Sequence, residues 1–192
     1  MKLLVTLIKA LVGAYYAVIY PVRLIGEENI PQGAVILCAN HISSRDPILL
    51  LLRLKRRITF MAKKELFKVK LVGAVLREAG AFPVDRGRAD LSAIRESMRV
   101  LESGGMLGIF PQGTRSAANE RTQVHGGAAL IEQRSKAPVV PVYIDGPYRP
   151  FRRTNIYIGK PIDLTDFGTR SDGATINAVT GEIDGAIWAL KA

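Results

Sequence analysis

Cysteine is nearly absent from this 192-residue chain. Cys38 is its single thiol, so no internal disulfide framework can form, and nothing points to an oxidising compartment. Cys38 closes the apolar run 34–38, where it reads as a small buried hydrophobe and not as a nucleophile. Histidine is almost as scarce. With only His41 and His125, and with a single carboxylate near His41, the chain falls short of the three protein ligands usual in a catalytic zinc site. No metal or other cofactor is expected, and His125, beside Gly126 and Gly127, reads as a loop residue.

Acidic residues are in deficit: 17 Asp and Glu stand against 27 Lys and Arg, a formal charge of +10. Such an excess implies an anionic partner, either nucleic acid, membrane headgroups or phosphorylated small molecules. The basic clusters are Arg53, Lys55, Arg56 and Arg57, then Lys63 and Lys64, then Arg149, Arg152 and Arg153. They come without zinc-ligand spacing, a basic region with heptads or an RNA-recognition signature, so no nucleic-acid partner is expected. Most read as solvated faces, and a minority should line a site or touch a bilayer. Internal repeats and low-complexity tracts are missing too. The length suits one domain with a real core.

No uninterrupted apolar run has membrane-spanning length. Residues 3–20 are apolar apart from Thr6 and Lys9 and come close to the length that crosses a hydrocarbon core of roughly 30 Å. Yet Lys2, Thr6, Lys9, Gly13, Tyr16 and Tyr20 recur at helical spacing as a narrow stripe, opposite Leu3, Leu7, Leu11 and Val18. A charge near the centre of a spanning helix costs ~2.5–3.5 kcal/mol on insertion scales. An interfacial helix instead lets Lys2 and Lys9 snorkel to the headgroups. Lys9 and the lack of a small-residue cleavage site before Arg23 disfavour a signal peptide. The expected organisation is therefore an amphipathic membrane-associating helix at 1–22 and a globular domain at 23–192. The alternative is a helix docked on that domain's own core.

The rest alternates strand and helix. Strands are expected at 22–26, 34–38, 58–62, 81–85, 106–110, 138–144 and 156–159. A mainly helical stretch at 66–78 is interrupted by Gly73. Leu91, Ile94, Met98 and Leu101 share a helical face ended by Gly104 and Gly105, a helix covers about 127–135, and Ile176, Val179, Ile183, Ile187 and Leu190 stripe a final helix. Such alternation argues for an α/β fold with a mostly parallel or mixed sheet flanked by helices.

The chemistry concentrates in 39–47. His41 follows the strand at 34–38, and Pro47 opens a helix with Asp46 as its cap. A histidine in a strand-to-helix loop, with a carboxylate five residues on and a turn between, has the layout of a general base whose tautomer is held by an acid. A second loop, Phe110-Pro111-Gln112-Gly113-Thr114-Arg115-Ser116, again leaves the end of a strand.

At this point the chain resembles the glycerolipid acyltransferases typified by lysophosphatidic acid acyltransferase. Their first motif, Asn-His, four residues and Asp, is matched by Asn40, His41 and Asp46. The second, an apolar-aromatic strand ending in arginine, is matched by Ala81-Phe82-Pro83-Val84-Asp85-Arg86. The third, Phe-Pro-Glu-Gly-Thr-Arg-Ser, is matched by 110–116 except that Gln112 replaces glutamate. The fourth, a Val-Pro-Val strand, is matched by Val140-Pro141-Val142. The four occur in the family's order over 39–146.

The resemblance implies an O-acyltransferase fold and activity. An acyl group would pass from acyl-CoA or acyl carrier protein to the hydroxyl of lysophosphatidic acid, giving phosphatidic acid. The enzyme would sit peripherally or monotopically on the cytoplasmic face of the cell membrane, against an anionic membrane surface. His41 and Asp46 would be catalytic. Arg86, Gln112, Gly113, Thr114 and Arg115 would bind the acceptor, the two arginines pairing with its phosphate. Ser43 and Ser44 do not occupy a nucleophile position, so direct transfer in a ternary complex is expected over an acyl-enzyme. Gln112 leaves another lysolipid acceptor open, and a non-catalytic lipid-binding protein of the same fold is the further alternative.

Overall fold

The computed structural model describes residues 2–85, 90–117, 120–168 and 172–191. The chain begins with α1 (Lys2–Ile19), β1 (Val22–Ile25), β2 (Val35–Ala39), α2 (Asp46–Arg53), β3 (Ile58–Lys63), α3 (Lys70–Glu78) and β4 (Phe82–Val84). It continues with α4 (Leu91–Glu102), β5 (Met106–Ile109), α5 (Gly127–Ser135), β6 (Val139–Ile144), β7 (Thr154–Ile158) and α6 (Gly173–Ala189). The strands form one seven-stranded sheet in the order β1-β7-β6-β2-β5-β3-β4. From β4 to β6 every pairing is parallel, while β7 runs antiparallel to β6 and pairs in parallel with β1. The sheet is therefore mixed, with its parallel block at the centre.

β2 has both faces covered, which is why its residues form a continuous apolar run with no polar alternation. Ile36 and Cys38 join Leu107, Val139, Ala129, Val179 and Ile183 in the core beneath α4, α5 and α6. Val35, Leu37 and Ala39 point the other way, among Leu50, Leu54, Met106, Val140 and Ile156. Burial pushes the Cys38 thiol up to about 12, so it stays protonated and inert in the core.

Four local expectations need correction. Asp46 does not cap α2; Arg45 holds the N-cap position, and Asp46 is the first helical residue with its carboxylate turned back into the preceding loop. The stretch expected to break at Gly73 breaks at Val69, between a 3₁₀ segment (Lys64–Lys68) and α3. Gly73 lies inside α3, at a position that takes glycine because a Cβ would come within 2.6 Å of the Phe67 carbonyl oxygen. The buried line of α4 is Ala93, Ser97 and Leu101, whereas Leu91 is 59% exposed. Small residues on that line let the helix approach the sheet closely. Finally, the 81–85 strand is shorter, covering Phe82–Val84, and Arg86 lies outside the described residues.

α1 rests on the domain by one edge. Gly13, Tyr16 and Ala17 line a small cleft with Leu49, Leu52 and Arg53 of α2, and Tyr20 is buried. The other side faces outward, with Leu7 55%, Leu11 62% and Val18 65% exposed. Among the described residues no helix is long and apolar enough to cross a membrane.

Candidate active site

Parallel neighbours β2 and β5 end together, with Cys38 level with Ile109, and β6 flanks β2 on the other side with Ala39 level with Val142. The loops leaving β2 and β5 therefore meet at the carboxyl edge of the sheet, the place where open α/β folds gather functional groups. Asn40 ties this edge together. Its side chain accepts the Ile144 N–H at 2.7 Å and donates to the Ile144 carbonyl at 3.0 Å.

His41 comes next, only 6% exposed. Its Nδ1 lies 2.7 Å from Asp46 Oδ2, and Asp46 is fully buried. The same oxygen accepts the N–H groups of Ile42 and Ser43, each at 2.8 Å. An oxygen already accepting two main-chain donors meets Nδ1 as a third acceptor contact, so Nδ1 carries the proton and Nε2 keeps its lone pair. The ring is stacked on Phe110, with centroids 4.2 Å apart, and Phe110 is stacked in turn on Phe60 at 5.5 Å. Gly108 makes room for that column, since a Cβ there would overlap the Phe60 ring.

The loop after β5 grips His41 by its main chain. Gln112 Oε1 accepts the His41 N–H at 2.6 Å, and the His41 carbonyl accepts the Ser116 N–H at 2.9 Å. Gln112 Nε2 reaches Ser116 Oγ at 3.4 Å. Gln112 is 4% exposed, so its carboxamide is used within the protein. Gly113 takes φ +67°, which permits the tight turn closed by its own N–H on the Phe110 carbonyl at 3.0 Å. Thr114 and Arg115 then stand exposed beside the dyad loop.

Tyr148 was not singled out from the sequence. Its hydroxyl and Asp46 Oδ1 are both buried without a hydrogen bond of normal geometry. Burial, and then the adjoining Asp46 carboxylate, push the Tyr148 phenol well above its ordinary pKa. Arg45 lies on the same side, its guanidinium 4.6 Å from the centre of the Tyr20 ring and 3.3 Å from the Tyr20 hydroxyl. The Ser43 hydroxyl accepts from Arg45 at 3.3 Å and 3.4 Å, and among the described residues no hydroxyl or thiol is hydrogen-bonded to the His41 ring. His125 is an exposed loop residue whose ring borders Gly113. The arrangement is a buried, tautomer-fixed base at an open sheet edge. It can remove a proton from an incoming hydroxyl.

The acyltransferase family model matches residues 21–145, from the start of β1 to just past β6. The chain is also 35% identical over 178 residues to a 1-acyl-sn-glycerol-3-phosphate acyltransferase of Bacillus subtilis, covering 88% of each protein. The chain belongs to the acyltransferase family. A Streptococcus pneumoniae protein of the same name is 37% identical over 144 residues, or 71% of this chain and 53% of that protein. The crystal structure of the 1-acyl-sn-glycerophosphate (LPA) acyltransferase PlsC from Thermotoga maritima superimposes with a TM-score of 0.72 at 27% identity. That match covers 100% of this chain and 81% of the other.

Of the acyltransferase residues expected from the motifs, His41, Asp46, Gln112, Gly113, Thr114 and Arg115 converge on one edge. Asn40, Phe110, Ser116 and Tyr148 are the additional members. The first three had a signal, since each stands inside a motif; Tyr148 had none. A cavity of about 390 Å³ lies elsewhere, between Glu132, Lys136, Val139 and Leu164 at the opposite end of β6.

Proposed function

We propose that this acyltransferase moves a fatty acyl group from a thioester, acyl-CoA or acyl carrier protein, to the hydroxyl of lysophosphatidic acid, giving phosphatidic acid. The observation that carries the mechanism is the 2.7 Å contact between His41 Nδ1 and Asp46 Oδ2, which leaves Nε2 as the base. Nε2 takes the proton of the acceptor hydroxyl as its oxygen attacks the thioester carbonyl carbon. The C–S bond then breaks. A simple thiol has a pKa near ~8.5, so the thiolate leaves readily and recovers the proton from the imidazolium. Asp46 steadies the imidazolium while it lasts. With Cys38 locked in the core and no hydroxyl on the His41 ring among the described residues, direct transfer is favoured over an acyl-enzyme. Holding both substrates in one complex supplies much of the rate.

The names of the relatives support lysophosphatidic acid as acceptor. In this reading Arg115 and Arg86 pair with its phosphate, Gly113 allows close backbone approach, and Thr114 contributes a hydroxyl or main-chain N–H contact. Gln112 serves the acceptor indirectly, by holding His41. Residues 1–22 lie on an anionic membrane surface at the cytoplasmic face through the exposed leucines of α1, and 23–192 form the catalytic domain.

The test is a transfer assay with labelled acyl-CoA and acyl carrier protein donors against phosphorylated and unphosphorylated lysolipids. Arg115→Ala and Arg86→Ala should each raise the KM for the phosphorylated acceptor roughly ten- to over a hundredfold, as for loss of a charge-assisted contact of about 1.5–3 kcal/mol. Equal losses on both acceptors would remove the phosphate-reading role.

A further inference from the structure

The loop from β6 to β7 contains an unusual phenylalanine. Phe151 is 71% exposed, the highest value among the described large hydrophobics. Its φ is +60°, in the left-handed region that phenylalanine avoids. This conformation is held from outside the loop. The Phe151 N–H donates to the carbonyl of Ile19, the last residue of α1, at 2.7 Å, and the Thr154 N–H donates to the Pro21 carbonyl at 3.0 Å. Arg149, Arg152 and Arg153 surround it, all exposed and without an ion pair among the described residues. Asp145 is the loop's single carboxylate. A strained backbone thus presents an aromatic ring to solvent within a basic fringe.

Its position gives that display a partner. α1 exposes Leu7, Leu11, Tyr15 and Val18, which recur at helical spacing as one stripe. Phe151 is fastened to the end of the same helix. The loop also leaves the carboxyl end of β6, the edge that carries His41. An apolar stripe ending in an aromatic residue and ringed by arginines matches the boundary between acyl chains and acidic headgroups. A second copy of the chain fits poorly, because it would bring the same arginines and the same +10 charge against them.

We propose that the 149–153 loop is a second membrane anchor, in which Phe151 enters the headgroup–acyl boundary and Arg149, Arg152 and Arg153 bind anionic phospholipid. This inference rests on the membrane reading of α1. With α1 docked on the domain and its stripe facing outward, the second contact at the helix end sets the tilt at which the protein meets the lipid.

The experiment is flotation of the full-length protein with phosphatidylcholine vesicles, with and without phosphatidylglycerol. The variants are Phe151→Asn, the triple Arg149→Gln/Arg152→Gln/Arg153→Gln, and Leu11→Ser/Val18→Ser in α1. Asparagine tolerates the left-handed backbone, so the first variant keeps the loop. The expected results are a several-fold loss of partitioning for Phe151→Asn and a loss of about fivefold per arginine on anionic vesicles only. Turnover on a short water-soluble acceptor should be unchanged in both loop variants. Wild-type partitioning in the loop variants, with loss in the α1 variant, would overturn the anchor loop and leave the membrane reading intact. Failure of the wild type to float would overturn both. A lipid-free dimer that Phe151→Asn abolishes would assign the loop to a second copy and also overturn the anchor.

Discussion

The Gln112 side-chain oxygen accepts the His41 main-chain N–H at 2.6 Å, joining two loops 71 residues apart in the chain. Both partners are buried, so the bond fixes the height of the His41 main chain above the sheet. Where related enzymes are expected to carry glutamate, a glutamine keeps the acceptor oxygen and so keeps this bond. Gln112→Leu removes it and leaves the His41 N–H buried and unpaired. Stability should fall by about 1–3 kcal/mol in urea unfolding, and kcat should fall while the acceptor KM holds. Gln112→Glu should retain most of the turnover. A rise in acceptor KM at constant kcat for Gln112→Leu would instead place the side chain on substrate.

Tyr148→Phe deletes a buried hydroxyl beside the Asp46 carboxylate. If that hydroxyl steadies the carboxylate when the imidazolium forms, kcat should drop roughly tenfold, about the weight of a modest hydrogen bond to a charged group. Both KM values and the melting temperature should stay near wild type. Steady-state kinetics with each substrate varied in turn makes the check.

Gly113→Ala tests the turn that carries Thr114 and Arg115. At φ +67° a Cβ is strained, and it would stand 3.1 Å from His125 Cδ2. A loss of about 1 kcal/mol, or ~2–4 °C in Tm for a chain of this size, is expected along with lower kcat/KM. Adding His125→Ala relieves the contact and leaves the φ strain, so thermal melts of the double variant should recover only in part.

Much of this site was legible because it is local. His41 and Asp46 lie five residues apart between a buried strand and a helix, so their pairing needed only a turn. Gln112 to His41 and Asn40 to Ile144 depend on which strands lie side by side, and parallel neighbours such as β2 and β5 are joined through other elements. No local pattern encodes that order. The α4 face was misread for a related reason. Hydrophobicity favoured Leu91, whereas the contact with the sheet selects small Ala93 and Ser97. Asp46 shows a third limit: an acid before proline looks like a helix cap until the loop amides compete for its oxygen and win.

Glu132 offers a pH test away from the site. Burial raises its pKa above 4.5, outweighing the opposing effects of Lys136 and the Gln133 hydrogen bond. The folded state therefore holds this proton more tightly than the unfolded one. Its contribution is fully present below about pH 4.5 and is lost as pH rises through the folded value. Glu132→Gln, which can still accept from Gln133, should melt above wild type at pH 7. The gap should close as pH falls towards 4.5. Thermal melts across that range decide it.

The most direct test is acyl transfer by His41→Gln, which fills similar space and can still donate to Asp46. With labelled thioester and lysophosphatidic acid, and with circular dichroism confirming the fold, turnover should fall by roughly 10²–10⁴, the usual range for loss of a general base. Turnover close to wild type in the folded variant would contradict a His41 base.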